Sequence, residues 1–440
     1  MSAIDSPQEQ RSESELGGLL TGRSTGAGPS VSESRATRFL PPILFASALA
    51  LAAWTVLASL PDAPQALDAD PGFYLHYMRR IRADGLSAFP ALFDEWNTDM
   101  DSWICPPPSR IGYIVVSALW GAVFGTNAVV LQYLSIAAYL ANAIVNYLFA
   151  RRHFGEPAAV CIGVLWTFSP LMMGLSRLAL TDSFIALCMC LTTWLFLEVV
   201  DRPESRARRI LFMAALGFTV LTKELSALLV IPYATFVLIE RFWRREPMNL
   251  VKFALTFAIP GIVILPIFVV AAGGASPLLQ TTRIVLESPS TNRYAILLGS
   301  GPWFRYLIDF FCLSPITMLL GIGGFSLFVT RLRAGEYDRR LMLMATIAVC
   351  LLFAFSFFTK NVRYAVLLEL PIRIFAAWVL IEMVKAKSAV RSAVLCGVAI
   401  ALLCWLDWRM FEVYWVDGRG YDPVTQALLR ARHIVPVRPP

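Results

Sequence analysis

The chain has 440 residues, 57% of them hydrophobic and 16% charged, and its mean hydropathy is +0.62. That balance excludes a water-soluble globular protein and a chain that is disordered throughout. The formal net charge of +7 does not point to nucleic acid, because the arginines stand in short stretches between apolar blocks, where they set topology.

The apolar blocks run to about 15–25 residues, the length of membrane-crossing helices, and show none of the roughly ten-residue alternation of a membrane barrel. Residues 1–38, rich in Ser, Glu, Gly and Arg and without apolar periodicity, are expected to form a disordered cytoplasmic tail. The first block, 39–60, follows Arg35 and Arg38 and reads as an uncleaved helix entering from the cytoplasm. Residues 61–110 then form the longest polar stretch between blocks and are expected to be a first external loop.

The apolar run 111–125 is shorter than the roughly 20 residues a span needs, so it reads as a juxtamembrane or re-entrant helix. Later blocks lie near 128–150, 157–176, 183–200, 209–222, 225–240, 250–272, 306–330, 341–358, 364–384 and 392–408. The basic clusters at Arg151–Arg152, 202–209, 241–245, 331–340 and 385–391 recur at every second junction, which marks them as cytoplasmic. The expectation is an all-α integral membrane protein of about 11 (10–13) transmembrane helices, with juxtamembrane helices in a long first periplasmic loop. Residues 39–408 form the membrane domain, 273–305 a second large external loop able to act as a lid, and 409–440 an external C-terminal tail.

Most of the eight cysteines lie inside apolar blocks and the three histidines are far apart, so neither a disulfide framework nor a histidine-based zinc site is expected. The informative residues are ionisable groups at the external ends of helices, where charge is costly. In LDADPGFYLHYMRRIRADG, Asp68 and Asp70 precede a helical pattern that puts Tyr74, Tyr77, Met78 and Ile81 on one face. They suit a general base or a divalent cation, while Asp70 followed by Pro71 equally suits a helix cap. SRLALTDS offers Arg177 for a phosphate and Asp182 as a second carboxylate facing the first loop; a cap and a snorkelling arginine are the structural alternative. LTKELS places Lys223, and KNVRYAVLLELP places Arg363 and Tyr364, at further external helix starts, as phosphate contacts or as ion pairs and interfacial anchors.

These segments, in this order over residues 39–384, resemble the GT-C class of membrane glycosyltransferases, which take sugars from polyprenyl-phosphate or polyprenyl-pyrophosphate carriers. DPGFYLHYMRRIRADGL is similar to the first-loop motif of that class, and FDEWNTDMDSWICPPPSRIGYI to the stretch following it in oligosaccharyltransferases, protein O-mannosyltransferases and lipid A aminoarabinose transferases. The resemblance implies a catalytic acid at Asp70, a second at Asp182, phosphate contacts at Arg177, Lys223, Arg363 and Tyr364, and a candidate Mg or Mn ion between Asp70 and Asp182. It implies an inverting transferase in the plasma (inner) membrane, acting on its periplasmic side on a polyprenyl-phosphate sugar and an unidentified acceptor. The chain departs from the pattern in carrying Asp68-Ala69-Asp70 in place of an Asp-Glu pair, which leaves open which carboxylate is the base. It also has Ser183 after Asp182 and no WWD segment. The competing reading is a transporter or flippase of a lipid-linked or anionic solute, which should place ionisable groups near the bilayer centre between broken helices.

Overall fold

The computed structural model describes residues 35–60, 70–291, 293–299, 301–385, 388–417 and 423–431. The tail expected over residues 1–38 lies outside them as far as residue 34, and so does Asp68. Among the described residues every regular element is helical. Eight helices are long and apolar enough to cross a membrane, or nine if the bent pair Glu156–Thr167 and Pro170–Ser176 is one span.

Helix α1 (Arg35–Ala58) is followed by the first-loop helices α2 (Asp70–Asp84) and α3 (Phe89–Thr98), then by α4 (Ile111–Phe124). The bundle continues with α5 (Ala128–Phe154), α6 (Glu156–Thr167), α7 (Pro170–Ser176), α8 (Asp182–Asp201) and α9 (Arg206–Thr222). After a 3-10 turn, Glu224–Leu229, come α10 (Val230–Leu238), α11 (Leu250–Ala271), α12 (Ala275–Thr291), α13 (Arg293–Leu298) and α14 (Arg305–Leu313). The last part holds α15 (Pro315–Arg333), α16 (Arg339–Phe355), a second 3-10 turn, Val362–Leu368, then α17 (Glu369–Met383), α18 (Ala389–Phe411) and α19 (Pro423–Ala431). The multi-pass, all-helical architecture expected from the sequence is present, and each predicted apolar block falls on a helix. Two of them, α9 and α16, are 17 residues long.

Helix starts follow from capping chemistry. Asn127, Ser205, Asn249, Asp338 and Ser388 each accept a hydrogen bond from a backbone N–H in the first turn of the helix that follows. The basic ends of the bundle are not bare charge. Arg152 lies 2.6 Å from Glu198, Arg339 2.8 Å from Glu240 and Arg331 2.8 Å from Glu382, so this face is laced together by ion pairs between neighbouring helices.

Burial sorts the helices into layers. In α8, and in α17 with its preceding turn, 78% and 83% of the spanning window is buried; in α1, α11 and α18 the figures are 17%, 22% and 22%. The first two form the centre of the bundle, and the others present apolar side chains outward, as a lipid-facing layer must. The main core is built on Trp166, Trp194, Phe196, Phe212 and Tyr233. A second, smaller core lies under the first loop, where Tyr74, Met78, Phe93, Tyr113 and Leu131 meet.

Helix α4 spans only about 21 Å at 1.5 Å per residue. At its start, a Cβ on Gly112 would come within 2.8 Å of Thr222 Oγ1, where α9 ends. Towards its other end Trp120 donates to the Val130 carbonyl in the first turn of α5, at 3.0 Å. The second large loop is docked onto the first: Thr281 of α12 donates to Asn97 Oδ1 of α3 at 2.8 Å, and Asn97 donates to the Pro277 carbonyl at 3.1 Å.

Candidate active site

Four chain segments deliver charge to one place at the mouth of the two central helices. Asp70 opens α2, with Pro71 in the first turn, where the missing N–H costs nothing and a carboxylate suits the dipole. The apolar face of that helix, Tyr74, Tyr77, Met78 and Ile81, is buried as its spacing predicts. Asp182 opens α8, again an acid in a first turn. Lys223 occupies the single extended residue between α9 and the turn leading to α10, with φ −157° and ψ 115°. Arg363 lies in the turn ahead of α17, whose start is capped by Asn361.

Their side chains form a continuous chain of charge. Arg363 donates to Asp70 at 3.2 Å and stands 3.7 Å from Asp182, so one guanidinium bridges two carboxylates 112 residues apart in sequence. Lys223 donates to the other oxygen of Asp182 at 2.9 Å, and its ammonium lies 5.0 Å from the centre of the Tyr364 ring. Asp182 and Lys223 are almost wholly buried, whereas Asp70 and Arg363 keep 27% and 25% of their side chains exposed. The exposed pair is therefore the reachable end of the cluster. A small cavity there is lined by Lys223 and Arg363 together with Ser226, Tyr364 and the apolar Ile185, Met189 and Phe355.

Arg110, counted in the sequence only among the charges of the first loop, belongs to the same cluster. It donates to the Tyr74 phenol, one turn below Asp70, and lies 4.0 Å from Glu224. Burial holds the Tyr74 phenol well above its ordinary value against the opposing influence of Arg110, so it stays neutral. Tyr77 donates at 2.9 Å to the carbonyl of Pro106 and so pins the proline run that leads to Arg110. Burial also pushes the nearby Cys105 thiol up to about 12, which leaves it without thiolate character. A signal for Arg110 was legible: it precedes the first turn of α4, where a cation works against the helix dipole.

The structure brings together Asp70, Asp182, Lys223, Arg363 and Tyr364 of the predicted set. Arg177 is held elsewhere, donating to the backbone carbonyls of Ser59 and Trp415. The pair Asp70 and Asp182, expected as a candidate Mg or Mn site, has Arg363 on both carboxylates and Lys223 on the second. Two carboxylates already neutralised by two cations do not fit a divalent ion, which needs oxygen donors free of competing charge. Among the described residues no group of three or more His, Cys, Asp or Glu is gathered to hold one.

Residues 111–270 match the family described as dolichyl-phosphate-mannose-protein mannosyltransferase. No curated protein matches this chain. Among solved structures, the oligosaccharyltransferase of Archaeoglobus fulgidus in complex with Zn and sulfate is 15% identical, with a TM-score of 0.57 over 85% of this chain and 53% of that one. The same archaeal enzyme, AglB, in complex with an inhibitory peptide and a dolichol-phosphate gives 13% identity and a TM-score of 0.58 over 88% and 57%. ArnT from Cupriavidus metallidurans in the apo state gives 20% identity and a TM-score of 0.52 over 90% and 77%. The chain thus spans about half the length of the archaeal neighbour. These neighbours are GT-C glycosyltransferases, and the resemblance read from the motifs is borne out: this chain is a multi-pass membrane protein with the GT-C glycosyltransferase fold.

Proposed function

We propose that the protein transfers a sugar from a polyprenyl-phosphate carrier to an acceptor hydroxyl or amine at the external face of the plasma (inner) membrane, with inversion at the anomeric carbon. The observation that carries the reading is the Asp70–Arg363–Asp182–Lys223 chain, a carboxylate and phosphate-binding cations at the mouth of the bundle. ArnT has been solved bound to undecaprenyl phosphate, and AglB with dolichol-phosphate, which supports the same donor class here.

In this reading the donor phosphate meets Arg363 and frees Asp70 from it. Asp70 then takes the proton of the acceptor as the acceptor atom attacks the anomeric carbon. The bond from that carbon to the phosphate oxygen breaks, and its electron pair leaves on the phosphate. Arg363 and Lys223 stabilise the charge that develops there. No step runs through a metal ion. Asp68 remains an alternative base. The positions of Arg152, Arg208, Arg331 and Arg339 at the opposite end of the bundle support a cytoplasmic placement of that end. Purified protein incubated with a radiolabelled polyprenyl-phosphate sugar and a membrane extract as acceptor should yield labelled product and free polyprenyl phosphate. Turnover of a nucleotide sugar instead, or translocation of the lipid-linked sugar without cleavage, would replace the proposal by another donor class or by the flippase.

A further inference from the structure

Three cations serve the site, and they are not equally committed. Arg363 and Lys223 each have a carboxylate within hydrogen-bonding distance. Arg110 is held more loosely: its hydrogen bond runs to the neutral Tyr74 phenol, and among the described residues its one ion-pair partner, Glu224, stands 4.0 Å away. The Arg110 side chain is only 14% exposed, and its Nε has no hydrogen-bond partner among the described residues. Two further buried hydroxyls also lack hydrogen-bond partners among the described residues: Tyr113 Oη, which feels the charge of Arg110, and Ser226 Oγ, in the cavity wall with Lys223 and Arg363. A buried donor left unmet is costly, and a guanidinium more so, unless a ligand completes it. Its two neighbours tie it to the site: Tyr74 stands one turn from Asp70 and Glu224 directly follows Lys223, and the charge of Arg110 acts on Asp70, Asp182, Lys223 and Tyr364.

From the juxtaposition of Arg110, loosely held between Tyr74 and Glu224, with the Arg363 bridge, we infer that Arg110 is a second guanidinium of the donor-phosphate clamp. It gives up Glu224 when the phosphate enters. The inference rests on the proposed donor and deepens it. Arg363 supplies the exposed side of the clamp and Arg110 the buried side. A planar fork suits the phosphate oxygens better than a point charge does. Glu224 is then the internal competitor that occupies Arg110 until the donor arrives.

The test is equilibrium binding of undecaprenyl phosphate to the purified full chain in nanodiscs, followed by tryptophan fluorescence, with thermal unfolding recorded for each variant. Arg110→Gln should raise Kd by about tenfold or more, the loss expected for one charge-assisted contact. Arg110→Lys should recover part of that loss, and Glu224→Gln should lower Kd, because the competitor is gone. A folded Arg110→Gln protein that binds like wild type overturns the inference. If that variant does not fold, a Glu224→Gln protein with an unchanged or higher Kd overturns it instead. Wild-type protein that fails to bind undecaprenyl phosphate overturns the donor reading itself, a result separate from any effect of Arg110.

Discussion

Asp70 shows how a residue with two readings can be assigned by its partner. A carboxylate that only capped α2 would turn to the backbone of its own helix. This one is paired with Arg363, 293 residues away, and remains partly exposed. Asn caps a helix about as well as Asp, so Asp70→Asn should leave thermal stability nearly unchanged while transfer falls by roughly 10²-fold or more. Near wild-type turnover in that variant would remove Asp70 from the chemistry and turn attention to Asp68. Arg177 is the opposite case. Its charge, burial and position at a helix end match those of Lys223, yet its guanidinium satisfies backbone carbonyls. Nothing local distinguishes the two, because what differs is a carboxylate 41 residues away for one and a carbonyl 238 residues away for the other.

Among the elements, the short helix α4 sets the spacing of the site. Gly112 lets its first turn lie against the end of α9, next to Lys223, where a Cβ would meet Thr222 N at 3.0 Å and Leu221 C at 3.1 Å. Backbone atoms cannot give way as a flexible side chain would, so Gly112→Ala should separate Arg110 from Lys223 and Glu224. We expect a loss of about 1–3 kcal/mol in stability, the usual range for overpacking, and an activity loss larger than the fraction unfolded explains. Activity per folded molecule equal to wild type would show that the spacing of α4 and α9 is immaterial.

The helices themselves were legible because apolar length and capping residues are local signals. Asp70, Asp182, Lys223 and Arg363 were legible because charge at a membrane helix end demands a reason. Less visible was the four-residue cluster inside the bundle, where Arg373 donates to Glu369 at 2.8 Å, to Ser314 at 2.9 Å and to Asp407, all of them buried. By composition, residues 364–384 and 392–408 are apolar blocks. The i,i+4 spacing of Glu369 and Arg373 was the available clue, but their partner on α18 is a tertiary fact. Arg373 meets both buried carboxylates of this cluster, unlike the open polar lining that the flippase reading requires.

For the whole molecule, the alternation of helices puts the candidate site, the first loop and the end of α18 on one side, and the paired basic clusters on the other. In a background with the native cysteines replaced, a membrane-impermeant thiol reagent added outside should label cysteines placed at Asp94 and Asp417 and spare those at Arg206 and Arg333. Labelling at Arg206 would reverse the assignment and make α4 a true crossing. The segment expected as an external C-terminal tail is in part built into this face. Arg305 donates to Thr425 at 3.0 Å, and Asp309 accepts from the Val424 backbone at 3.0 Å.

The double grip of Arg177 has a consequence for biosynthesis. One guanidinium holds Ser59, at the end of the first spanning helix, and Trp415, just past the last, while Gly174 leaves the room that the Trp415 ring fills. During translation the first partner is made long before the second, so the nascent bundle carries an incompletely satisfied buried cation until Trp415 emerges. The end of α18 thus completes a buried contact that Ser59 and Arg177 begin. A chain stopped at Cys404 should therefore insert normally yet be cleared faster than full-length protein in a pulse-chase experiment, whereas one ending at residue 431 should persist; equal lifetimes would show that the grip plays no part in quality control.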